Sequence, residues 1–266
     1  LSKTLPYIGL VAKKAGATSY CECFGGGGRC ILNLDKLDTV NFDRLIYNEW
    51  DEGMCKLFEA ASKPDTAEQM IKALRNVNYD KETFDYCKKH KLDKDNSLLE
   101  TACMTYILCQ MSYNANMKSF SKIDYNTNSD IVQNFYNGVD RIILTPLHVP
   151  NLEVVNGDYR EMLRLYGADP HVVKYLDPPY ITLVREKGSL KVYSNELTCK
   201  EHKELVELLC NSRSWVLSSY DPEKYGSDIY KKLEEAGAIK VSLGKFFVSS
   251  SGKAYTYKEE FIWYKV

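Results

Sequence analysis

The fold is decided by the stretch Thr18-Ser19-Tyr20-Cys21-Glu22-Cys23-Phe24-Gly25-Gly26-Gly27-Gly28. Its first six residues are rich in apolar and thiol side chains, which is typical of a short buried strand. The glycines then predict a tight turn, where bare backbone and helix-terminal N–H groups can approach a ligand. A helix over 29–36 is predicted to follow. A glycine-rich turn is a weak signal by itself, because a flexible loop has the same composition.

A second buried strand is predicted over 43–47, before an amphipathic helix that carries Met54, Leu57 and Phe58 on one face. Glu49 follows this strand and lies roughly 20 residues after Gly28, a spacing typical of acids that bind a ribose. A carboxylate there can accept hydrogen bonds from both ribose hydroxyls, or it can be a solvated acid favoured by the helix dipole. The strand-helix-strand-helix order predicts a parallel sheet.

The composition and pattern of the sequence change between residues 62 and 137. Helix starts at Pro64, Asp80 and Ser97 alternate with lysine-rich turns and an Asn-rich stretch, and Ser97 forms a capping box with Glu100. We interpret this segment as an inserted helical subdomain.

Strands return after the insert. They are predicted over 152–155, 172–176, 215–218, 239–243 and 261–265. Thr198 and Glu201 form another capping box, which opens a helix. The last two strands are close in sequence, which favours an antiparallel hairpin at the end of the sheet.

The tetrapeptide Asp177-Pro178-Pro179-Tyr180 follows the apolar stretch 172–176. It is therefore predicted to lie at the carboxyl edge of the sheet, where open α/β folds bind ligands. Proline has no backbone N–H and resists regular structure, so two in succession leave carbonyl oxygens free to accept hydrogen bonds. Such a turn can bind a ligand, or it can be only a rigid end of a strand.

These motifs together resemble the D12 class of DNA adenine methyltransferases, in particular short phage-like and mobile-element members, over nearly the whole chain. Four segments carry most of the resemblance. Glu22 to Gly28 is similar to the cofactor loop Glu-Pro-Phe-x-Gly-x-Gly, with Cys23 in place of proline; Asn48-Glu49 to an Asn-Asp pair; and Asn156-Gly157-Asp158-Tyr159 to a further cofactor segment. Asp177 to Tyr180 is identical to the hallmark Asp-Pro-Pro-Tyr. The segment 259–264 also resembles the closing strand of the family.

The resemblance implies S-adenosylmethionine as cofactor and assigns roles to particular residues. The cofactor-binding residues would be Glu22, Phe24, Gly26, Gly28, Glu49, Asp158 and Asp177, with Glu49 on the ribose and Asp158 on the cofactor's adenine. The catalytic residues would be Asp177, Pro178, Pro179 and Tyr180.

The adenine N6 amine is a poor nucleophile, because its lone pair is delocalised into the ring. If Asp177 and a prolyl carbonyl each accept one N6–H, the lone pair turns toward the sulfonium methyl group. Tyr180 would stack on the base, which must leave the duplex because the donor cannot reach it there. The expected reaction is methyl transfer to adenine N6 in double-stranded DNA by base flipping.

Two departures from the family limit what can be carried over. A leading Gly-Gly-Lys cofactor element has no counterpart in the chain and would precede Leu1, so weak cofactor binding is expected. The family's recognition hairpin is replaced by residues 111–120, so the target sequence is not predicted. Asn114, Asn116 and Lys118 are candidate contacts to bases or phosphates, or they form an ordinary polar loop. Tyr193 is a candidate stacking residue in the loop after the catalytic turn, or part of a solvated loop.

Composition places limits on the protein class. The chain has 266 residues, of which 44% are hydrophobic and 27% charged, and its net charge of -1 neither supports nor excludes DNA binding. Nine cysteines without C-x-x-C spacing favour a reducing cytoplasm, and the four histidines show no ligand spacing, so no metal is expected. No apolar run is long enough for a membrane span. We predict a cytoplasmic monomer.

The predicted fold is α/β: a Rossmann-like, seven-stranded S-adenosylmethionine-dependent methyltransferase sheet with an inserted helical target-recognition subdomain. The catalytic domain is predicted over 1–61 and 138–266, and the insert over 62–137. Double-stranded DNA is the expected partner, and a cognate restriction endonuclease of a bacterium or phage is a candidate partner. The alternatives are methylation of cytosine N4, RNA adenine or a protein glutamine, and a noncatalytic DNA-binding relative.

Overall fold

The computed structural model describes residues 3–112, 115–121, 130–179, 197–220, 228–248 and 256–266. The strands within them are β1 Ser19–Glu22, β2 Arg44–Glu49, β3 Leu152–Asn156, β4 Val172–Leu176, β5 Trp215–Tyr220, β6 Ile239–Val248 and β7 Thr256–Lys265. The α-helices are α1 Leu5–Ala15, α2 Glu52–Ala61, α3 Pro64–Leu74, α4 Lys81–His90, α5 Leu98–Met111, α6 Ile131–Arg141, α7 Thr145–His148, α8 Tyr159–Tyr166, α9 Cys199–Cys210 and α10 Lys231–Glu235. Short 3-10 helices cover Ile31–Lys36 and Ile142–Leu144.

The strands form one mixed sheet in the order β3-β2-β1-β4-β5-β7-β6. β1 pairs in parallel with β2 and with β4, and β4 pairs in parallel with β5. β7 is antiparallel to both β5 and β6. The predicted seven-stranded α/β sheet with an antiparallel final hairpin is confirmed. The strand order reverses between β1 and β4, and ligands of open α/β sheets bind outside the carboxyl ends of strands at such a point.

The chain divides into two compact units, Leu1–Asn48 with Gly157–Val266 and Glu49–Asn156. In the first unit, all five residues of β4 are buried. Helix α1 contacts β4 and β5, while α8 contacts β4 and α9. These helices exclude water from the parallel strands and fix the strand ends that carry the sequence motifs.

The second unit is mainly helical, and α5 lies at its centre, in contact with α2, α3 and α4. Its core side chains are at most 1% exposed: Met70, Leu74, Phe84, Leu108, Met111, Phe135 and Val139. Burial of a large apolar side chain contributes about 1.5–3 kcal/mol, so this cluster stabilises the helical unit substantially.

The predicted helix starts are confirmed. Pro64 is the first residue of α3, Asp80 caps α4, and both capping boxes form, Ser97 with Glu100 and Thr198 with Glu201.

The prediction of a helix over 29–36 was wrong in type and start, since a 3-10 helix begins at Ile31. Its hydrogen bonds span three residues, as between the N–H of Asn33 and the carbonyl of Cys30 (3.0 Å). This tighter geometry is usual for such short pieces.

Candidate active site

The glycine turn follows β1 and is held by its neighbours. The Gly25 N–H donates to the carbonyl of Asn48 (2.8 Å), and the Tyr47 hydroxyl donates to the carbonyl of Gly26 (2.7 Å). Gly26 and Gly28 have φ angles of 47° and 63°, a region that favours glycine. A Cβ on Gly26 or Gly27 would meet no atom within 4 Å, whereas one on Gly25 would lie 2.3 Å from the Tyr47 ring. One side of the turn is therefore packed and the other is open to a ligand.

Glu22 ends β1 and has a buried carboxyl group, with the residue 2% exposed. Its Oε2 accepts a hydrogen bond from the Ile31 N–H (2.8 Å) and one from the Tyr20 hydroxyl (3.3 Å). Burial, with a smaller contribution from the charge of Asp177, raises the pKa of this carboxyl to about 8, against the lowering effect of the hydrogen bonds. Glu22 therefore carries a proton near neutral pH and fastens the 3-10 helix behind the turn to the end of β1.

The raised pKa of Glu22 predicts that stability falls with increasing pH. Between its ordinary pKa of 4.5 and about 8, the folded protein keeps a proton that the unfolded chain has lost. The free energy of unfolding should therefore decrease as pH rises through this window, and the decrease should be shallower in Glu22→Gln. Urea unfolding of both proteins at pH 5 and pH 8 measures the effect. Equal decreases in the two proteins would contradict it.

The segment Asp177-Pro178-Pro179 leaves β4 at the same sheet edge, because β1 and β4 are parallel and Glu22 pairs in register with Tyr175. Asp177 is exposed, Pro178 is buried and Pro179 is half-buried. Since Glu22 ends β1 and Asp177 follows β4, both residues lie at this edge, and the charge of Asp177 contributes to the raised pKa of Glu22. The sheet edge thus brings together two carboxyl groups, an open glycine turn and a rigid diproline turn.

Aromatic rings lie beside the glycine turn. The rings of Phe24 and Tyr159 stack, with centroids 4.8 Å apart and an interplanar angle of 28°. The preceding Asp158 caps α8 by accepting from the Arg160 N–H (2.8 Å), and its other oxygen accepts from Arg160 Nη1 (2.7 Å). The guanidinium also pairs with two glutamates of α9. Asp158 is therefore fixed in place, and its contact with a cofactor stays a prediction.

A comparison with known families agrees with this arrangement. The D12 class N6 adenine-specific DNA methyltransferases match residues 2–242, nearly the whole chain. The chain belongs to this family. The predicted resemblance is confirmed, and with it a methyltransferase that acts on DNA adenine. No curated protein matches the chain.

In this D12 methyltransferase, Glu49 is the last residue of β2 and belongs to the second unit. Its Oε1 accepts hydrogen bonds from the N–H groups of Trp50 (2.8 Å) and Asp51 (3.0 Å). Asn156 donates to its backbone carbonyl (2.9 Å). These contacts fix Glu49 at the start of α2, and its role on a ribose stays a prediction.

The predicted recognition loop contains a tight internal turn. Asn116 Oδ1 accepts from the N–H groups of Lys118 (2.8 Å) and Ser119 (3.2 Å). Lys88 of α4 donates to the backbone carbonyl of Lys118 (2.6 Å), and the ring of Phe120 packs against aromatic side chains of the helical unit. Asn116 thus shapes the loop, while the Lys118 side chain is exposed. Direct contact of either residue with DNA stays a prediction.

Three predicted site residues, Asn114, Tyr180 and Tyr193, lie outside the described residues. Among the described residues, no group of His, Cys, Asp and Glu side chains could hold a metal ion. No helix in that part of the chain is long and apolar enough to cross a membrane.

Sequence reasoning missed residues that act on the motifs from a distance in sequence. Tyr47 supports the glycine turn, Tyr20 binds Glu22, and His202 of α9 approaches the carbonyl of Pro179. The contact between Tyr20 and Glu22 could have been inferred from the sequence, because alternate residues of a strand face the same side. For Tyr47 and His202 the partners are far along the chain, and no local pattern indicates them.

Proposed function

We propose that this enzyme transfers the methyl group of S-adenosylmethionine to N6 of adenine in double-stranded DNA, after flipping the base out of the helix. The observation that carries the proposal is the pairing of β1 with β4. It places the open glycine turn and Asp177-Pro178-Pro179 at one edge of the sheet, at the point where the strand order reverses.

The residues of the first unit fit S-adenosylmethionine chemically. Gly26 and Gly27 leave space for close approach of a ligand, and the stacked rings of Phe24 and Tyr159 offer an apolar wall next to the turn. Asp177 supplies a carboxylate for a ligand that carries positive charge, while the protonated Glu22 supports the turn at the end of β1. The cofactor supplies an activated methyl group on a sulfonium. Gly28, Glu49 and Asp158 are proposed as further cofactor-binding residues.

The diproline turn performs the substrate chemistry in this proposal. Asp177 and a prolyl carbonyl each accept one N6–H of the flipped adenine, which directs the nitrogen lone pair toward the methyl group. Tyr180 stacks on the base. The turn is suited to this task because neither proline has an N–H that could bond elsewhere, so its shape is set by the rings and the strand end.

Glu49 provides a test of the cofactor site. Glu49→Ala removes the proposed acceptor of the ribose hydroxyls, so cofactor affinity should fall by about 10-fold or more while DNA affinity stays within about twofold, on the scale of a hydrogen bond to a charged group. Calorimetry measures the first and a gel-shift titration the second. Equal cofactor affinity before and after the change would reject the role.

The helical segment 62–137 is the proposed target-recognition insert, and Lys118 is its proposed phosphate contact. Lys118→Ala should weaken binding to all DNA sequences equally and should reduce the slope of log affinity against log salt by about 0.9. Lys72→Ala, on helix α3 of the same unit, serves as the control. An unchanged salt slope in Lys118→Ala would show that this lysine does not contact the backbone.

The proposed reaction is tested with duplex DNA and labelled cofactor, followed by separation of the nucleosides. N6-methyl-2′-deoxyadenosine from DNA is the expected product. Label in N4-methylcytosine, in RNA or in protein would instead support one of the other planar amines, and DNA binding without any transfer would indicate a noncatalytic relative. A monomeric state and a partner nuclease are further proposals, which native mass spectrometry and a search of the neighbouring genes would test.

A further inference from the structure

A buried histidine lies behind the diproline turn. His202, in the first turn of α9, is 1% exposed, and its Nδ1 lies 3.1 Å from the hydroxyl of Tyr230. Tyr230 is itself 2% exposed and packs edge-on against the ring of Trp263, with centroids 5.1 Å apart. The histidine ring is therefore held in one orientation by a fixed neighbour.

The second ring nitrogen of His202 has unused hydrogen-bonding capacity. Nε2 is fully buried and has no hydrogen-bond partner among the described residues. The backbone carbonyl of Pro179 nevertheless approaches the ring closely enough to favour a proton on it. Burial outweighs this effect and lowers the pKa of His202 to about 4, so the ring is neutral at physiological pH. In the tautomer with the Tyr230 hydroxyl donating to Nδ1, the single ring proton lies on Nε2, the nitrogen left for the Pro179 carbonyl.

A buried N–H without a partner costs about 1–3 kcal/mol, and such a group calls for an explanation. The diproline turn offers one. Neither proline can donate a backbone hydrogen bond, so the rest of the protein can anchor the turn by hydrogen bonding only through its carbonyl oxygens. A donor that faces one of these oxygens from a separate helix is therefore a means of fixing the turn.

We propose that His202 is a positioning residue for methyl transfer: its Nε2–H completes a hydrogen bond to the Pro179 carbonyl when adenine enters the site. This bond holds Asp177 and the prolyl carbonyls in the geometry that aligns the amine. The inference rests on the proposed function and extends it to a residue that does not touch the substrate. Catalytic hydrogen bonds are often long in the absence of substrate and shorten in the reacting complex, in agreement with the unpartnered Nε2 of His202.

Two substitutions separate the two ring nitrogens. In His202→Gln, the side-chain amide reaches about as far as Nε2 and can still donate to Pro179. In His202→Asn, the shorter amide substitutes for Nδ1 and keeps a partner for Tyr230 but cannot reach Pro179. Since a misplacement of about 1 Å can cost roughly 100-fold in rate, His202→Asn should slow single-turnover transfer by about 10- to 100-fold, and His202→Gln should stay within about threefold of the wild type.

The cofactor dissociation constant and the urea midpoint are measured for the same proteins. Cofactor affinity should be equal in both variants, because the substitutions affect the turn that is proposed to hold the adenine. Tyr230→Phe provides an independent variant. It removes the hydroxyl that selects the tautomer of His202, so transfer should slow only in part, because the histidine ring can still donate to the Pro179 carbonyl. Equal transfer rates for His202→Gln and His202→Asn, or rates that simply follow the urea midpoints, would overturn the positioning role. A wild-type protein that binds cofactor and DNA but methylates no adenine would instead refute the proposed function, and the role of His202 would fall with it.

Discussion

Replacement of Asp177 by alanine is expected to reduce methyl transfer to adenine by at least ~100-fold, on the scale of losing one preorganised polar group at a reacting centre. In the proposed reaction the Asp177 carboxylate is the charged acceptor of the turn that follows β4. Asp177 is exposed, so its removal should not disturb the core. Single-turnover transfer to a duplex that contains the mapped target site measures the effect.

Asp177→Asn distinguishes charge from shape. It keeps the size of the side chain and one acceptor oxygen, but its amide can present a donor to the N6 hydrogens. Activity should stay low even though folding and DNA binding persist. Near-native transfer by both Asp177 variants would show that the turn is only a structural end of β4.

A matched pair of substitutions in the glycine turn is expected to have the second large effect, on stability in one variant and on cofactor binding in the other. In Gly25→Ala the new methyl group would lie 2.3 Å from the Tyr47 ring, so the ring or the turn must move. This overpacking should cost about 1–3 kcal/mol of stability. In Gly27→Ala the methyl group enters open space, and its φ angle is not in the glycine-favoured region, so stability should stay the same or rise by up to about 1 kcal/mol.

Cofactor binding should reveal what the open side of the turn is for. If the cofactor approaches the bare backbone there, Gly27→Ala should weaken its binding by about tenfold, or ~1.4 kcal/mol, without loss of stability. Urea unfolding and calorimetry on the two variants separate the effects. A Gly27→Ala protein that binds cofactor as tightly as the wild type would remove this side of the turn from the proposed site.

The sequence predicted the sheet well, because its strands are short apolar segments with clear ends. The position of β4 was predicted over its exact length, and the capping boxes at Ser97 and Thr198 gave the starts of α5 and α9. Helix α1 was missed although its signals are present, with Pro6 near its start and Gly16 at its end with a φ angle of 62°.

The candidate site was predicted less completely, for a physical reason. Motif residues such as Asp177 occur in recognisable strings, but their supporting contacts come from distant parts of the chain. Tyr47 reaches Gly26, and His202 approaches Pro179 from α9, only after the sheet has formed. The local role of Asn116 also became clear only from its hydrogen bonds, because an Asn in a polar loop can shape the loop as readily as it can contact DNA.

The proposed role of Asp177-Pro178-Pro179-Tyr180 is the methylation of adenine N6 in DNA. Its most direct test is to map methylated bases at single-nucleotide resolution in DNA from methylation-deficient cells that express the wild-type protein or Asp177→Asn. We expect N6-methyladenine within one defined sequence context in the first DNA and its near absence in the second. Methylation of another base, or equal adenine methylation with both proteins, would contradict it.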